Sequence, residues 1–264
     1  MKIKLNGISI NYSERGLPQG PPLVFIHGFP FDHSMWDPQM MALPQEYRAI
    51  SFDIRGHGSS DVGEGQYSIE FFVDDLIGLL DHLGLKHAAV CGLSMGGYIA
   101  LRAAERHPER IKALVLCDTR SEADSNEARI KRAQQVKAVK TGGVKAFAEQ
   151  FVKAIFAPQT FSRSPQVVQK IQKIIENNSP IGICGTLLAL AARTDTTSAL
   201  PAIKVPTLIL VGEHDTLTPP SASQAMHEKI RGSELHIIPG AAHMSNLENP
   251  SFFDDKLLSF LKKL

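Results

Sequence analysis

The chain is short of the features that staple, tether or strongly charge a protein. Its 264 residues include three cysteines, Cys91, Cys117 and Cys184, an odd number at spacings that no metal motif uses. A disulfide framework is therefore not expected. Cys91 and Cys117 fall in apolar runs and read as small buried thiols of a reducing compartment. The formal net charge is only +1, which gives no strong pull toward nucleic acid or an anionic membrane. No apolar run approaches the ~20 residues needed to span a bilayer. Lys2 and Lys4 are not followed by the apolar segment of a signal peptide, so a cytoplasmic protein is expected. There is no His-Glu-x-x-His, no paired cysteine and no acidic cluster to suggest a metal. The glycines from Gly92 to Gly97 are not followed by a phosphate-binding lysine. Neither metal nor cofactor is expected. What the chain does have is material for a core. It is 43% hydrophobic and 21% charged, an ordinary globular balance, at a length that suits one large domain or one domain with an insertion.

Strand and helix patterns alternate along most of the chain. Lys2 to Leu5 and Ile8 to Tyr12 flank Asn6-Gly7, a strong hairpin signal. Pro22 to Ile26, Tyr47 to Phe52, Ala88 to Leu93, Ile111 to Cys117, Thr207 to Val211 and Leu235 to Ile238 are compact apolar runs that read as buried strands. Met35 to Leu43 suits a short helix. Ile69, Phe72, Val73, Leu76, Leu79, Leu80 and Leu83 fall on one helical face, with Ser68 as cap and Gly84 as stop. Met95 to Arg106 reads as a helix, and another starts at Pro250 behind Asn249. Apolar strands alternating with helices predict an α/β fold, a mostly parallel sheet with helices on both faces.

The stretch 121–200 departs from this pattern. It has no clear strand and reads as helices over about Glu122 to Lys140, Val144 to Phe156, Pro165 to Asn177 and Ile181 to Ala192. It holds eleven lysines and arginines against six acids, a net of +5, and leaves −4 for the rest. We read 1–120 and 201–264 as an α/β core and 121–200 as a helical cap over the C-terminal edge of the sheet, where ligands bind in such folds.

Gly92-Leu93-Ser94-Met95-Gly96 is a G-x-S-x-G motif between a strand and a helix. A nucleophilic hydroxyl must stand exposed on a sharp turn, and small residues on either side permit one. Serine also needs a base. His243 follows the last strand and so opens on the same sheet edge as Ser94. The other histidines fit less well; His27 and His57, in glycine-rich turns, read as backbone braces. The base needs an acid to fix its tautomer. Asp215 follows the strand Thr207 to Val211 and completes the order Ser, Asp, His. Asp118, at the end of Ile111 to Cys117, is its rival, and Asp53 reads as a turn-former. Two backbone donors would make an oxyanion hole, the N–H of Met95 and that of Phe29, since Pro30 has none.

These motifs resemble the α/β-hydrolase superfamily. His27 to Pro30, Asp53 to Gly58, Gly92 to Gly97, Gly212 to Asp215 and Gly240 to His243 follow its order over nearly the whole chain. Leu116 to Arg120 and His243 to Pro250 are similar to small bacterial carboxylesterases close to the 3-oxoadipate enol-lactonases. A dehalogenase of this fold would want a carboxylate in place of Ser94. The resemblance implies a small-molecule ester as partner, hydrolysed by a serine carboxylesterase without cofactor. A lactonase is the first alternative. A receptor that keeps the three residues but scarcely turns over is the second. Phe29, Met95, Phe151, Ile155, Leu187 and Leu190 are expected to line an apolar pocket, with Arg129, Lys131, Arg132, Lys170 and Lys173 on solvated faces. Such a pocket would favour a short neutral ester, unless Arg120 or Arg193 reaches it.

Overall fold

The computed structural model describes residues 1–264. Its frame is one eight-stranded sheet. The strands are β1 (Lys2–Leu5), β2 (Ile8–Gly16), β3 (Pro22–Ile26), β4 (Arg48–Phe52), β5 (Ala88–Leu93), β6 (Ile111–Cys117), β7 (Thr207–Gly212) and β8 (Glu234–Ile238). Their spatial order is β1-β2-β4-β3-β5-β6-β7-β8. β1 and β2 form the expected hairpin, its turn made by Asn6 and Gly7 at φ 48° and 81°. β2 also pairs antiparallel with β4, and every pairing from β4 to β8 is parallel. β5 and β7 are buried at every residue, as strands covered on both faces must be.

The covering layers are α1 (Asp37–Ala42) and α10 (Pro250–Leu261), which pack together, and α2 (Ile69–His82) and α3 (Met95–Arg106), which do likewise. Ser68 caps α2 by accepting from the Phe71 amide. Trp36 is buried between Phe25 of β3 and Phe253 of α10, with ring centroids 5.0 and 6.2 Å away. That aromatic stack fixes the strand leading to His27 and Phe29 against the C-terminal helix. α8 (Pro220–Lys229) joins β7 to β8, and the short α9 (Ser245–Glu248) precedes α10.

Between β6 and β7 lies a helical insertion of α4 (Asn126–Ile155), α5 (Thr160–Arg163), α6 (Pro165–Asn177) and α7 (Pro180–Ala191). α4 starts later than expected, because the Ser125 hydroxyl accepts from the Ala128 amide and begins the helix there. Its two halves meet at Gly143, whose φ of 80° and ψ of 167° are non-helical. The break expected at Gly142-Gly143 is thus present, and it separates the two helical halves of α4. α5 was not anticipated; four residues are too few to show a period. No helix is long and apolar enough to cross a membrane.

Candidate active site

The strand β5 runs straight into α3 through Ser94. Ser94 takes φ 55° and ψ −112°, a conformation that is costly for a residue with a side chain. Its surroundings hold it there. The Ser94 amide donates to the Cys117 carbonyl at 2.9 Å. Its carbonyl accepts from Gly97 N at 2.9 Å and from the Thr119 hydroxyl at 2.8 Å. A Cβ on Gly92 would overlap the Gly96 carbonyl, and one on Gly96 would overlap that of Ile26, so both glycines are required by contact. Met95 is the first residue of α3, and its N–H has no acceptor within the helix.

Asp215 and His243 meet from the ends of β7 and β8. The His243 Nδ1 and Asp215 Oδ2 are 2.8 Å apart, with both side chains almost fully enclosed. Asp215 Oδ1 also accepts from the amides of Leu217 and Thr218 at 2.8 and 3.0 Å, and Oδ2 accepts from the Thr218 hydroxyl at 2.6 Å. Burial alone would raise this carboxyl. His243 and the Thr218 hydrogen bonds outweigh burial and hold it below its ordinary range. It therefore carries the charge that a histidine Nδ1–H needs for orientation. Thr218 was not foreseen. A threonine three residues after an aspartate is an ordinary turn signal, and that Asp-x-x-Thr spacing is the clue that would have found it.

The rival Asp118 lies elsewhere. It accepts from Gly212 N at 2.8 Å and from the Ser245 hydroxyl, and makes no hydrogen bond with His243. Burial, aided by the nearby Asp215 charge, pushes its carboxyl well above the usual carboxylate range. Asp118 ties the ends of β6 and β7 to the start of α9. Asp53 forms a turn: it accepts from Asn11 Nδ2, the His33 amide and ring, and the Ser59 amide. Asp32, His33 and Asp53 come close enough together to share a cation, but both Asp53 oxygens are already engaged by those donors. His27 accepts from the Ile54 amide at 3.0 Å, and His57 lies beside it with ring centroids 5.3 Å apart.

Ser94 and His243 both line one cavity of about 170 Å³, together with Phe29, Met95, Phe151 and Leu190. Ile155 and Leu187 do not reach it. Both are fully buried in packing, because only the last turn of α7 meets the cavity and Leu187 lies a turn too early. The cavity is also far more polar than expected: Arg120, Asp124, Lys131, Arg132, Gln135, Arg193 and Thr218 complete much of its wall. Of the two residues expected on a solvated face, Lys131 is exposed as expected while still contributing to the cavity wall, whereas Arg132 is half-buried. Both share a face of α4 with Ala128 and Gln135, at spacings of three and four, and these four residues line the cavity with Ser94. Phe29, Phe147 and Phe151 fix that orientation, with Phe29–Phe151 centroids 5.8 Å apart. Arg129, Lys170 and Lys173 are absent from the wall.

A mostly parallel sheet with a strained serine between β5 and α3, and an Asp-His pair on the same edge, defines a class of hydrolytic enzyme. The family described as alpha/beta hydrolase fold matches residues 21–250. The chain belongs to that family and is a hydrolase. Among curated relatives, the 3-oxoadipate enol-lactonase 2 of Acinetobacter baylyi is 31% identical over 97% of this chain and 94% of its own. A thermophilic esterase from Thermogutta terrifontis, solved with malate bound, is 36% identical with a TM-score of 0.94, covering 100% and 98% of the two chains. The enol-lactonase from Burkholderia xenovorans is 31% identical with a TM-score of 0.93, covering 99% and 100%.

Proposed function

We propose that this hydrolase cleaves carboxylic ester bonds, in open-chain esters or lactones of small acids, through an acyl-enzyme on Ser94. The observation that carries the reading is the shared cavity: it contains Ser94 on its strained turn and a His243 already bonded to Asp215. In this reading Ser94 Oγ attacks the carbonyl carbon while His243 Nε2 accepts its proton. Asp215 keeps the Nδ1–H in place and stabilises the imidazolium. The N–H groups of Met95 and Phe29 receive the oxyanion. His243 then protonates the departing alkoxide, which for a lactone stays tethered to the acyl group. Water, deprotonated by the same histidine, releases the acid. The insertion 121–200 serves as a cap, since its residues Arg132, Phe151 and Leu190 close the cavity.

Esterase and enol-lactonase relatives support the open-chain and lactone readings about equally. The cavity is small enough to favour a short acyl group. Its cationic wall speaks against the neutral-ester preference expected from an apolar lining. Steady-state hydrolysis of 4-nitrophenyl acetate and butyrate tests the reading. Turnover is expected, with a loss of ~10³-fold or more in Ser94→Ala. A single stoichiometric burst without turnover would instead point to a ligand-sensing protein.

A further inference from the structure

Two arginines reach the cavity from the ends of the insertion, and their hydrogen bonding separates them. Arg193 is spent. Its Nε and Nη2 donate to the Glu122 carbonyl at 3.1 and 2.7 Å, and its Nη1 donates to Asp124 and to the Leu190 carbonyl. The guanidinium carbon lies 4.3 Å above the Tyr98 ring. Arg193 therefore laces the two ends of the insertion together. Arg132 is drawn to the same acid, its Nε 3.1 Å from Asp124.

Arg120 is different. It lines the cavity with Ser94 and His243, yet it takes part in no ion pair. One donor on Nη2 meets the Leu217 carbonyl at 3.0 Å. Its Nε is buried without any acceptor. Nη1 donates to no protein atom. A half-buried guanidinium with idle donors and no counter-charge is an unfavourable arrangement, and an anion in the cavity relieves it. Its position is well defined. It follows Thr119, whose hydroxyl holds the Ser94 carbonyl, and it is tied through Leu217 to the turn that carries Asp215. The charge is thus fixed in register with both the candidate nucleophile and its acid.

We propose that Arg120 is the receptor for a carboxylate on the substrate, so that the favoured substrates are half-esters or lactones of small dicarboxylic acids. This rests on the reading of Ser94 as the nucleophile. A carboxylate takes two N–H donors from one edge of a guanidinium, and here the idle Nη1, with the second hydrogen of Nη2, supplies the capacity that a neutral acyl chain would leave unused.

The test compares phenyl hydrogen glutarate with phenyl 5-methylhexanoate, in which two methyls replace the carboxylate oxygens. The wild-type kcat/KM is expected to be at least ~10-fold higher for the glutarate ester. In Arg120→Met the ratio of the two kcat/KM values should fall by ~30-fold or more, chiefly through KM, and Arg120→Lys should recover part of it. A wild-type preference for the neutral ester overturns the assignment, as does an unchanged ratio in Arg120→Met. Binding of free glutarate to Ser94→Ala, read by calorimetry, needs no catalysis. Binding there that is lost in Ser94→Ala/Arg120→Met upholds the receptor even if Ser94 proves not to be the nucleophile. Equal binding by both variants sinks it. Should Arg120→Met fail to fold, competitive inhibition of wild-type neutral-ester hydrolysis by glutarate, but not by 5-methylhexanamide, is the required result. Equal inhibition by the two contradicts the proposal.

Discussion

The edge of the sheet and the helical insertion between β6 and β7, the roof in the proposed reading, use their polar groups differently. At the edge, the backbone does most of the holding. The Ser94 amide and carbonyl, the Asp215 carboxylate and the Gly212 amide all have assigned partners within the strand ends and turns. Strain at Ser94 persists because its neighbours over-determine it. In the roof, side chains do the holding, through the Arg193–Asp124–Arg132 cluster and the phenylalanines on α4. The proposed chemistry rests on the first kind of order, which tolerates almost no substitution. The proposed carboxylate receptor belongs to the edge as well, since Arg120 follows Thr119 and is bonded to the Leu217 carbonyl.

The sharpest way to break that comparison is at the edge. Asp215→Asn should lower kcat by 10³–10⁴-fold, because the amide favours the wrong histidine tautomer, while the melting temperature moves little. Asp118→Asn should cost far less in kcat, and the reverse order would make Asp118 the acid. Next in size is the roof's central ion pair. Arg193→Met leaves a buried Asp124 with Arg132 as its sole ionic partner, and urea unfolding should show a loss of about 3 kcal/mol or more. A loss below about 1 kcal/mol would mean that the cluster does not hold the insertion together.

Glycines sharpen the contrast further. Gly92→Ala forces a methyl against the Gly96 carbonyl, and a destabilisation of about 3 kcal/mol is expected from the same unfolding measurement. Gly142→Ala places its methyl 3.8 Å from the Ala146 Cβ in open helix, and should stabilise by about 0.5–1 kcal/mol. Equal effects at the two sites would erase the distinction between edge and roof.

The edge should also respond to acid. Burial, with His27 beside it, lowers the His57 imidazole to about 3. Because the unfolded state binds this proton near pH ~6.5 and the folded state does not, stability is full above that value and falls as pH drops toward 3. The slope due to this one group approaches ~1.4 kcal/mol per pH unit. His57→Gln should flatten the acid limb of a stability-against-pH curve. An unchanged limb would show that other groups set it.

How much of this was legible in the sequence follows the same division. Pro22–Ile26, Ala88–Leu93, Ile111–Cys117 and Met95–Arg106 have the bounds expected from their apolar runs and the glycines, prolines and charges that end them. The candidate nucleophile and its partners sit at strand ends, where chain position alone puts them on one edge. The cavity wall was not legible in that way. Which face of α4 turns inward is decided by Phe147 and Phe151 packing against Phe29, a contact between segments more than a hundred residues apart. The clue that existed was Ala128, Lys131, Arg132 and Gln135 on one helical face, and polar residues on one face ordinarily signal solvent. Ile155 and Leu187 misled for the complementary reason: apolar residues in an insertion serve its own packing first.

The central claim is that Ser94, activated by His243, forms the covalent intermediate, and labelling tests it most directly. The protein should be treated with a fluorophosphonate, digested and sequenced by mass spectrometry. One equivalent is expected on Ser94, with labelling slowed by at least ~10³-fold in His243→Ala and loss of esterase activity in proportion to the label. A label on any other serine, or full labelling of Ser94 with esterase activity retained, would contradict it.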